Sequence, residues 1–280
     1  MTPRYLRFPG GKAKALTFSY DDGVEQDIRL VEIFRKNGLK ATFNINGGKF
    51  SPEGTVFPEG HIHRRMTEKQ VLETYKDDVC EVACHAYTHP FLTEYDPAIV
   101  SYQIIQDRLA LEALFGQQMH GMAYPYGRTN DTVVNVLKNT GIWYCRTTVS
   151  TEKFDMPTDW LQLPATCHHK NPRLMELADD FLALRPKFRP QLFYVWGHSY
   201  EFEQHDNWNV IEDFAAKMGG KDDIWYCTNM ELYLAWRDYT NLETSADGSM
   251  LYNPSVRSVW LADNKDNIYE IKPGESIKML

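Results

Sequence analysis

The fold of this chain is decided by the stretch Ala15-Leu16-Thr17-Phe18-Ser19-Tyr20-Asp21-Asp22-Gly23. Its apolar run is short, β-prone and uninterrupted, which favours a strand buried on both faces. Two adjacent anions repel each other in a folded chain unless a cation or a proton lies between them. We therefore predict an interior strand over 15–20 that ends in two carboxylates, with a divalent metal ion beside them.

A second apolar run also ends in metal-ligating side chains. His85 follows a candidate strand over 80–84, and His89 comes four residues later. Histidines at i and i+4 face the same point if the segment turns helically, and imidazole is the commonest metal ligand among side chains. Two histidines and one carboxylate would make a three-ligand site with open positions for water and substrate.

Strand-like and helix-like segments alternate along the chain. The candidate strands are 15–20, 40–45, 80–84, 120–124, 142–147, 191–196 and 222–227. Residues 67–70 and 228–231 have the pattern of capping boxes, and a further helix begins at Asp96 and ends at Gly116. Seven strands alternating with helices predict a parallel sheet, and in α/β barrels the catalytic groups gather at the carboxyl ends of the strands.

After about residue 240 the pattern changes to alternating short strands at 255–261 and 267–271. The polar residues 263–266 between them predict a hairpin turn. Because residues 241–280 are too few to fold alone, we expect a β-hairpin appendage that packs on a domain formed by residues 1–240.

Length and charge restrict the partners of the protein. The chain has 280 residues and a formal net charge of −8, which argues against nucleic acid or an anionic membrane as its main partner and favours a neutral substrate. Neither a membrane-spanning run nor a secretory signal is seen, so we expect a cytoplasmic protein. The oligomeric state is left open.

Five segments carry motifs in a fixed order. They are Ser19-Tyr20-Asp21-Asp22-Gly23, His85-Ala86-Tyr87-Thr88-His89-Pro90, Ala123-Tyr124-Pro125-Tyr126-Gly127, Asp159-Trp160 and Trp196-Gly197-His198. Together they resemble the motifs of the polysaccharide deacetylases with a NodB-type domain, also called carbohydrate esterase family 4. The resemblance implies a distorted (β/α)7 barrel and the removal of acetyl groups from an N-acetylated sugar.

By this resemblance, Asp22, His85 and His89 would hold the metal, Asp21 would be the base that takes a proton from water, and His198 would protonate the departing amine. Zinc is the expected ion, with cobalt, nickel or iron as alternatives. The acetylated carbohydrate is the implied partner.

The resemblance also implies a substrate pocket. The backbone N–H of Tyr126, after Pro125, would help to hold the oxyanion. Trp196 would form a wall of the acetyl pocket with Trp160 beside it, although both tryptophans could instead be ordinary core residues.

The main departure from the family pattern is Ala123, which stands where the third motif has arginine. In the family that arginine pairs with the base and with the aspartate of the fourth motif, here Asp159. Arg146 lies inside a predicted strand, where an unpaired charge would be costly. We therefore expect that Arg146 substitutes for the missing arginine beside Asp21.

Two further histidine-containing segments need an interpretation. The 46–66 segment is a long polar loop, which is typical of a functional lid, and it contains His61 and His63. A proline and a glycine just before this pair argue against a strand that would aim both rings, so we leave the pair outside the site. Residues 167–169, Cys-His-His, are interpreted as a loop near the mouth of the site.

Two other functions remain open at this point. The chain could hydrolyse an O-acetyl ester or a small cyclic amide, because related barrels vary their substrates through their loops. It could also be a pseudoenzyme that binds carbohydrate without turnover, although the motif carboxylates and histidines argue against that hypothesis.

Overall fold

The computed structural model describes residues 4–279. Its strands are β1 (Tyr5–Arg7), β2 (Lys14–Asp21), β3 (Ala41–Ile45), β4 (Cys80–Cys84), β5 (Gly121–Ala123), β6 (Tyr144–Ser150), β7 (Leu163–Ala165), β8 (Cys167–His168), β9 (Gln191–Gly197), β10 (Ile224–Tyr226), β11 (Glu243–Thr244), β12 (Met250–Tyr252), β13 (Val259–Ala262), β14 (Ile268–Ile271) and β15 (Ser276–Lys278). Its helices are α1 (Gln26–Lys36), α2 (Glu68–Thr74), α3 (Pro97–Phe115), α4 (Asp131–Asn139), α5 (Leu174–Ala183), α6 (Tyr200–Gln204), α7 (Asn209–Met218) and α8 (Asn229–Thr240).

A parallel sheet of nine strands forms the centre of the molecule, in the order β7-β6-β5-β4-β3-β2-β9-β8, with β10 paired to β2. The predicted α/β fold is confirmed. The sheet contains the seven predicted strands and two more, β7 and β8. Both are very short and follow β6 without an intervening helix in the described chain. β7 contains Pro164, and β8 lies in the segment 167–169 that we interpreted as a loop, so that interpretation is wrong for Cys167 and His168.

The two ends of this sheet meet. β7 pairs with β6 and β8 pairs with β9, yet only Thr166 separates β7 from β8 in the chain. The N–H of Thr166 donates to the carbonyl of Tyr194 at 2.8 Å, which ties this junction to β9. A second irregularity lies on β2, whose first half pairs with β10 and whose second half pairs with β3. The sheet is therefore curled and distorted, as the resemblance implied.

The interior strand β2 has buried residues on both faces, as predicted. Leu16, Phe18 and Tyr20 pack into the apolar layer under the helices, where Phe18 lies 4.5 Å from the ring of Phe34 in α1. Each such large apolar side chain contributes about 1.5–3 kcal/mol by its burial. Because side chains alternate along a strand, Asp21 points to the opposite face, into the sheet interior.

The predicted helix ends are confirmed. Thr67 and Thr228 each form a capping box. The threonine side chain accepts from the backbone N–H three residues later, and the side-chain oxygen of the Gln or Glu at that position accepts from the backbone N–H of the threonine. Asp96 caps α3, and Gly116 ends that helix with φ of 66°, in the left-handed region that suits glycine.

The C-terminal segment is larger than the hairpin predicted. β13 and β14 pair as an antiparallel hairpin, and β1 from the start of the chain adds a third strand to it. β11, β12 and β15 form another three-stranded sheet. Arg257 fixes the segment to α8 through Asp238, at 2.7 Å. The division of the chain at residue 240 stays a prediction.

Among the helices of the described part, none combines the length and the apolar character that a bilayer span requires.

Candidate active site

A sharp turn at the end of β2 places both carboxylates in one region. Asp22 has φ of 88° and Gly23 has φ of 65°, so two consecutive residues adopt the left-handed conformation. A Cβ at position 23 would lie 2.9 Å from Cγ2 of Ile45, so the close packing requires glycine. The backbone N–H of Asp22 donates to the carbonyl of Asn44 at 2.9 Å, which anchors the turn to β3.

His85 and His89 converge, but not through the helical turn that we expected. Ala86 and His89 both have φ of 59°, and these two left-handed residues fold the segment back on itself. The ring centroids of His85 and His89 lie 4.8 Å apart, edge to face. The prediction that both rings face one point agrees with this geometry, whereas the helical turn is wrong.

The structure brings Asp22, His85 and His89 together. One ligand atom from each lies within 4.8 Å of the others, and Nε2 of His89 is 3.6 Å from Oδ1 of Asp22. Two ligand atoms bonded to one tetrahedral zinc ion would lie about 3.3 Å apart, so these residues fit a metal ion with small adjustments. The group has the donor chemistry that zinc, cobalt, nickel or iron prefers.

The protonation of both histidines suits metal binding. Nδ1 of His85 donates to the carbonyl of Ala123 at 2.8 Å, which leaves the lone pair on Nε2, 4.0 Å from Oδ2 of Asp21. Burial lowers the pKa of His85, and burial together with the neighbouring His85 lowers the pKa of His89 to about 4. Both rings are therefore neutral near pH 7, the form that binds a metal ion.

Asp21 is paired with a buried arginine. Nη2 of Arg146 donates to Oδ2 of Asp21, while Nε of Arg146 donates to Oγ of Ser19 at 3.1 Å. Burial alone would raise the pKa of Asp21, but the charge and hydrogen bond of Arg146, together with the nearby His85 and His198, outweigh burial and lower it. The carboxylate is thus held ionised.

The strand pairing explains how Arg146 can reach Asp21 although the third motif has Ala123 in place of arginine. Ala123 in β5 and Arg146 in β6 are direct partners in the register of the two strands. The guanidinium therefore comes from the strand beside the family's arginine position and still reaches Asp21.

His198 follows β9 and lies beside the same carboxylate. Its Nε2 is 3.9 Å from Oδ2 of Asp21, and its Nδ1 is 3.7 Å from Oε2 of Glu201. Burial lowers the pKa of His198, but the carboxylates of Glu201, Asp21 and Asp22 together outweigh burial and raise it. This imidazole therefore holds a proton more strongly than an ordinary histidine.

Two residues of the 46–66 loop reach the site, one of them a histidine that we left outside it and the other Arg65, which no motif marked. Nε2 of His63 lies 3.1 Å from Oδ2 of Asp22, and Nη2 of Arg65 lies 2.8 Å from Oδ1. The exclusion of His63 was wrong, because the loop is positioned by a backbone bridge between Val24 and Arg65 and needs no strand. His61 is exposed and its Nε2 contacts only the carbonyl of His63 among the described residues.

Tyr126 and Trp196 line the site. The ring of Tyr126 lies 4.6 Å from that of His89 and stacks on Phe91 at 3.8 Å, while Pro125 before it is buried. Trp196 lies against the Arg146 guanidinium, 4.7 Å from its Cζ.

Asp159 and Trp160 do not line the site. Asp159 is exposed, and its oxygens accept from the backbone of Leu161 and the side chain of Gln162, both at 2.9 Å. Trp160 packs against Tyr233 and Trp236 of α8, with ring centroids 5.1 Å apart in each pair. Both residues precede β7, so they lie at the amino end of a parallel strand, opposite to the site. The core interpretation of Trp160 agrees with this position, and a supporting role for Asp159 does not.

Comparison with known proteins agrees with the motifs. Residues 8–145 match the family described as polysaccharide deacetylase. This region belongs to the polysaccharide deacetylase family. The resemblance inferred from the five motifs is thereby confirmed.

Two curated relatives support this membership. A protein named "Chitin deacetylase" from Pestalotiopsis sp is 26% identical over 153 residues, which cover 54% of this chain and 47% of that protein. "Putative polysaccharide deacetylase YxkH" from Bacillus subtilis (strain 168) is 24% identical over 129 residues, which cover 46% of this chain and 42% of that protein. The matches thus span less than half the length of these relatives.

A solved structure shows the same fold. The "putative polysaccharide deacetylase from Mycobacterium smegmatis" aligns with a TM-score of 0.62 at 16% identity, over 86% of this chain and 96% of that chain.

Proposed function

We propose that this protein is a metal-dependent hydrolase that removes the acetyl group from an N-acetylated sugar. The observation that carries the proposal is the convergence of Asp22, His85 and His89, with Asp21 and His198 beside them. All five side chains come from the carboxyl ends of three parallel strands, where α/β barrels carry their chemistry.

The donor set fits one divalent ion, held by Asp22, His85 and His89. When bound, such an ion would polarise the acyl carbonyl and lower the pKa of a water molecule. Zinc is the preferred ion, and cobalt, nickel and iron suit the same ligands.

The residues around it divide the proton transfers between them. Asp21 takes a proton from the attacking water as the water oxygen bonds to the acyl carbon, and Arg146 keeps Asp21 ionised for that role. His198 gives its Nε2 proton to the leaving nitrogen while the C–N bond breaks and its electron pair moves to that nitrogen. The backbone N–H of Tyr126 supports the negative carbonyl oxygen. Acetate and a free amine are released.

Two observations favour a small acyl group on a sugar. The large ring of Trp196 lies against Arg146 beside the site, and a bulky wall there favours a small acyl group. The family and the chitin deacetylase match connect the chain to acetylated carbohydrates, and its net charge of −8 suits a neutral glycan better than an anionic one.

The test is acetate release from N-acetylated oligosaccharides, O-acetylated sugars and small cyclic amides, with the protein stripped by a chelator and then reloaded with zinc. We expect release from the N-acetylated sugars after reloading, and a loss of about 10²–10⁴-fold in kcat for Asp21→Asn. Release from esters alone would favour an O-acetyl esterase. Binding of sugars with no turnover would favour a pseudoenzyme.

A further inference from the structure

Glu201 in α6 is surrounded by four basic side chains. Nζ of Lys170 donates to its Oε1 at 2.7 Å. On the other oxygen, Oε2, Nε2 of His168 lies at 3.2 Å, Nε2 of His169 at 3.1 Å and Nδ1 of His198 at 3.7 Å. This carboxylate is only 12% exposed, it accepts a hydrogen bond from Lys170 on one oxygen, and three imidazole rings approach its other oxygen without completing hydrogen bonds.

The orientation of this cluster is fixed by contacts outside it. Nδ1 of His168 accepts from the backbone N–H of Lys170 at 3.1 Å, so the proton of that ring is on Nε2, which faces Glu201. The backbone N–H of His169 donates to the carbonyl of Trp196 at 2.9 Å. A Cβ on Gly197 would lie 2.1 Å from Nδ1 of His169, so glycine lets this ring pack against β9.

Glu201 shares His198 with Asp21. The two nitrogens of His198 face different carboxylates, Nδ1 towards Glu201 and Nε2 towards Asp21. The carboxylate of Glu201 therefore lies on the side of the ring opposite to Asp21, 3.7 Å from Nδ1. Asp159, the other acidic residue assigned a supporting role by sequence, lies at the opposite end of the sheet and contacts neither residue.

We propose that Glu201 is a positioning residue for the acid step, and that His168, His169 and Lys170 hold its carboxylate in place. This inference rests on the proposed function. The proton moves from Nε2 of His198 to the leaving nitrogen as the C–N electron pair moves to that nitrogen, and Glu201 itself transfers no proton.

The same atoms could instead bind a second ion, because ligand atoms of His168, His198 and Glu201 lie within 4.8 Å of one another. The ammonium of Lys170, 2.7 Å from Oε1 of Glu201, already supplies a full positive charge there and opposes a dication. We therefore expect one zinc ion per chain in the reloaded protein and in Glu201→Gln. A second ion that is lost in Glu201→Gln would overturn the positioning role.

The decisive experiment compares two substrates with different leaving groups. An N-acetylated oligosaccharide releases an amine, which must be protonated, whereas 4-nitrophenyl acetate releases a phenolate, which need not be. For Glu201→Gln we expect kcat on the sugar to fall about 10–100-fold with KM unchanged, within the range of general acid catalysis, and kcat on the ester to change less than about threefold. His198→Ala should show the same selectivity with a larger loss, and the double variant should match His198→Ala.

Glu176→Gln is the matched control, because it makes the same change at an exposed glutamate of α5, whose carboxylate pairs with Arg173. If Glu201→Gln folds poorly, Glu201→Asp keeps the charge but withdraws it by one methylene, and the same leaving-group selectivity is expected. Equal losses on both substrates, or additive losses in the double variant, would overturn the role of Glu201. A wild type inert towards both substrates would instead contradict the proposed function.

Discussion

The two ends of the central sheet carry polar clusters that differ in how closely their members approach one another. At the amino end, Asn229 joins Thr17, Thr42 and Tyr194 through hydrogen bonds of 2.6–2.9 Å between neutral groups. At the carboxyl end, three carboxylate–imidazole pairs among the ligand and proton-transfer candidates lie at longer distances. These are 4.0 Å for His85 and Asp21, 3.9 Å for His198 and Asp21, and 3.6 Å for His89 and Asp22.

This difference separates structural from functional burial of polar groups. The amino-end network satisfies its donors and acceptors internally and fixes the start of α8 over the sheet, so it contributes to stability. The three carboxylate–imidazole pairs converge without completing hydrogen bonds to each other, which is the arrangement of ligands and proton carriers around a reacting centre. Burial alone would not have distinguished the two.

The largest expected effect is that of Arg146→Ala, which leaves Asp21 as an unpaired buried charge. Breaking such a pair costs about 3–5 kcal/mol of unfolding free energy. Because Arg146 lowers the pKa of Asp21, its removal raises that pKa, and the acid limb of the kcat profile should move to higher pH. Denaturant unfolding and kcat against pH measure the two effects.

Arg146→Lys is the control for Arg146→Ala, since it keeps the charge but loses the contact with Ser19. An unchanged turnover and pH profile in Arg146→Ala would show that this pair has no part in the reaction.

Asn229→Ala tests the amino end of the sheet. It removes the partner of Thr17 and Tyr194 in the interior, and we expect a loss of about 1–3 kcal/mol in stability with kcat within about twofold of wild type. Asp21→Asn should instead show a large loss of kcat, together with a loss of stability because it leaves the buried charge of Arg146 without its partner. If Asn229→Ala removed activity without lowering Tm, the contrast between the two ends would be wrong.

The smallest effect concerns the loop histidines, which form a matched pair. His63 contacts the carboxylate of Asp22, whereas His61 stacks on Phe57 at the surface. Partners of metal ligands typically affect metal affinity by about 10-fold or more. We expect calorimetry to show about 10-fold weaker zinc binding for His63→Ala, and an unchanged zinc affinity for His61→Ala. Equal affinities in the two variants would remove His63 from the site.

The sequence predicted well what is local in the chain. Each strand that ends in Asp21, His85 or His198 is a short apolar run, and parallel strands bring their carboxyl ends to one edge. The catalytic and ligand candidates could therefore be named before any coordinates. The helix ends at Thr67, Thr228 and Asp96 followed from side-chain chemistry within a few residues.

What the sequence could not predict depends on long-range register and packing. Arg146 reaches Asp21 because β5 and β6 pair Ala123 with Arg146, and a pairing register cannot be read from either strand alone. His63 and Glu201 reach the site through a loop bridge and a short helix. Asp159 matched a two-residue motif, but its position before β7 places it at the wrong end of the sheet.

An anomalous difference map from crystals of the zinc-loaded protein shows directly whether the three ligands share one ion. We expect one strong peak bonded to Asp22, His85 and His89, at about 2.0–2.2 Å from each ligand atom. A peak elsewhere in the molecule, or these three side chains turned away from a common point, would contradict this expectation.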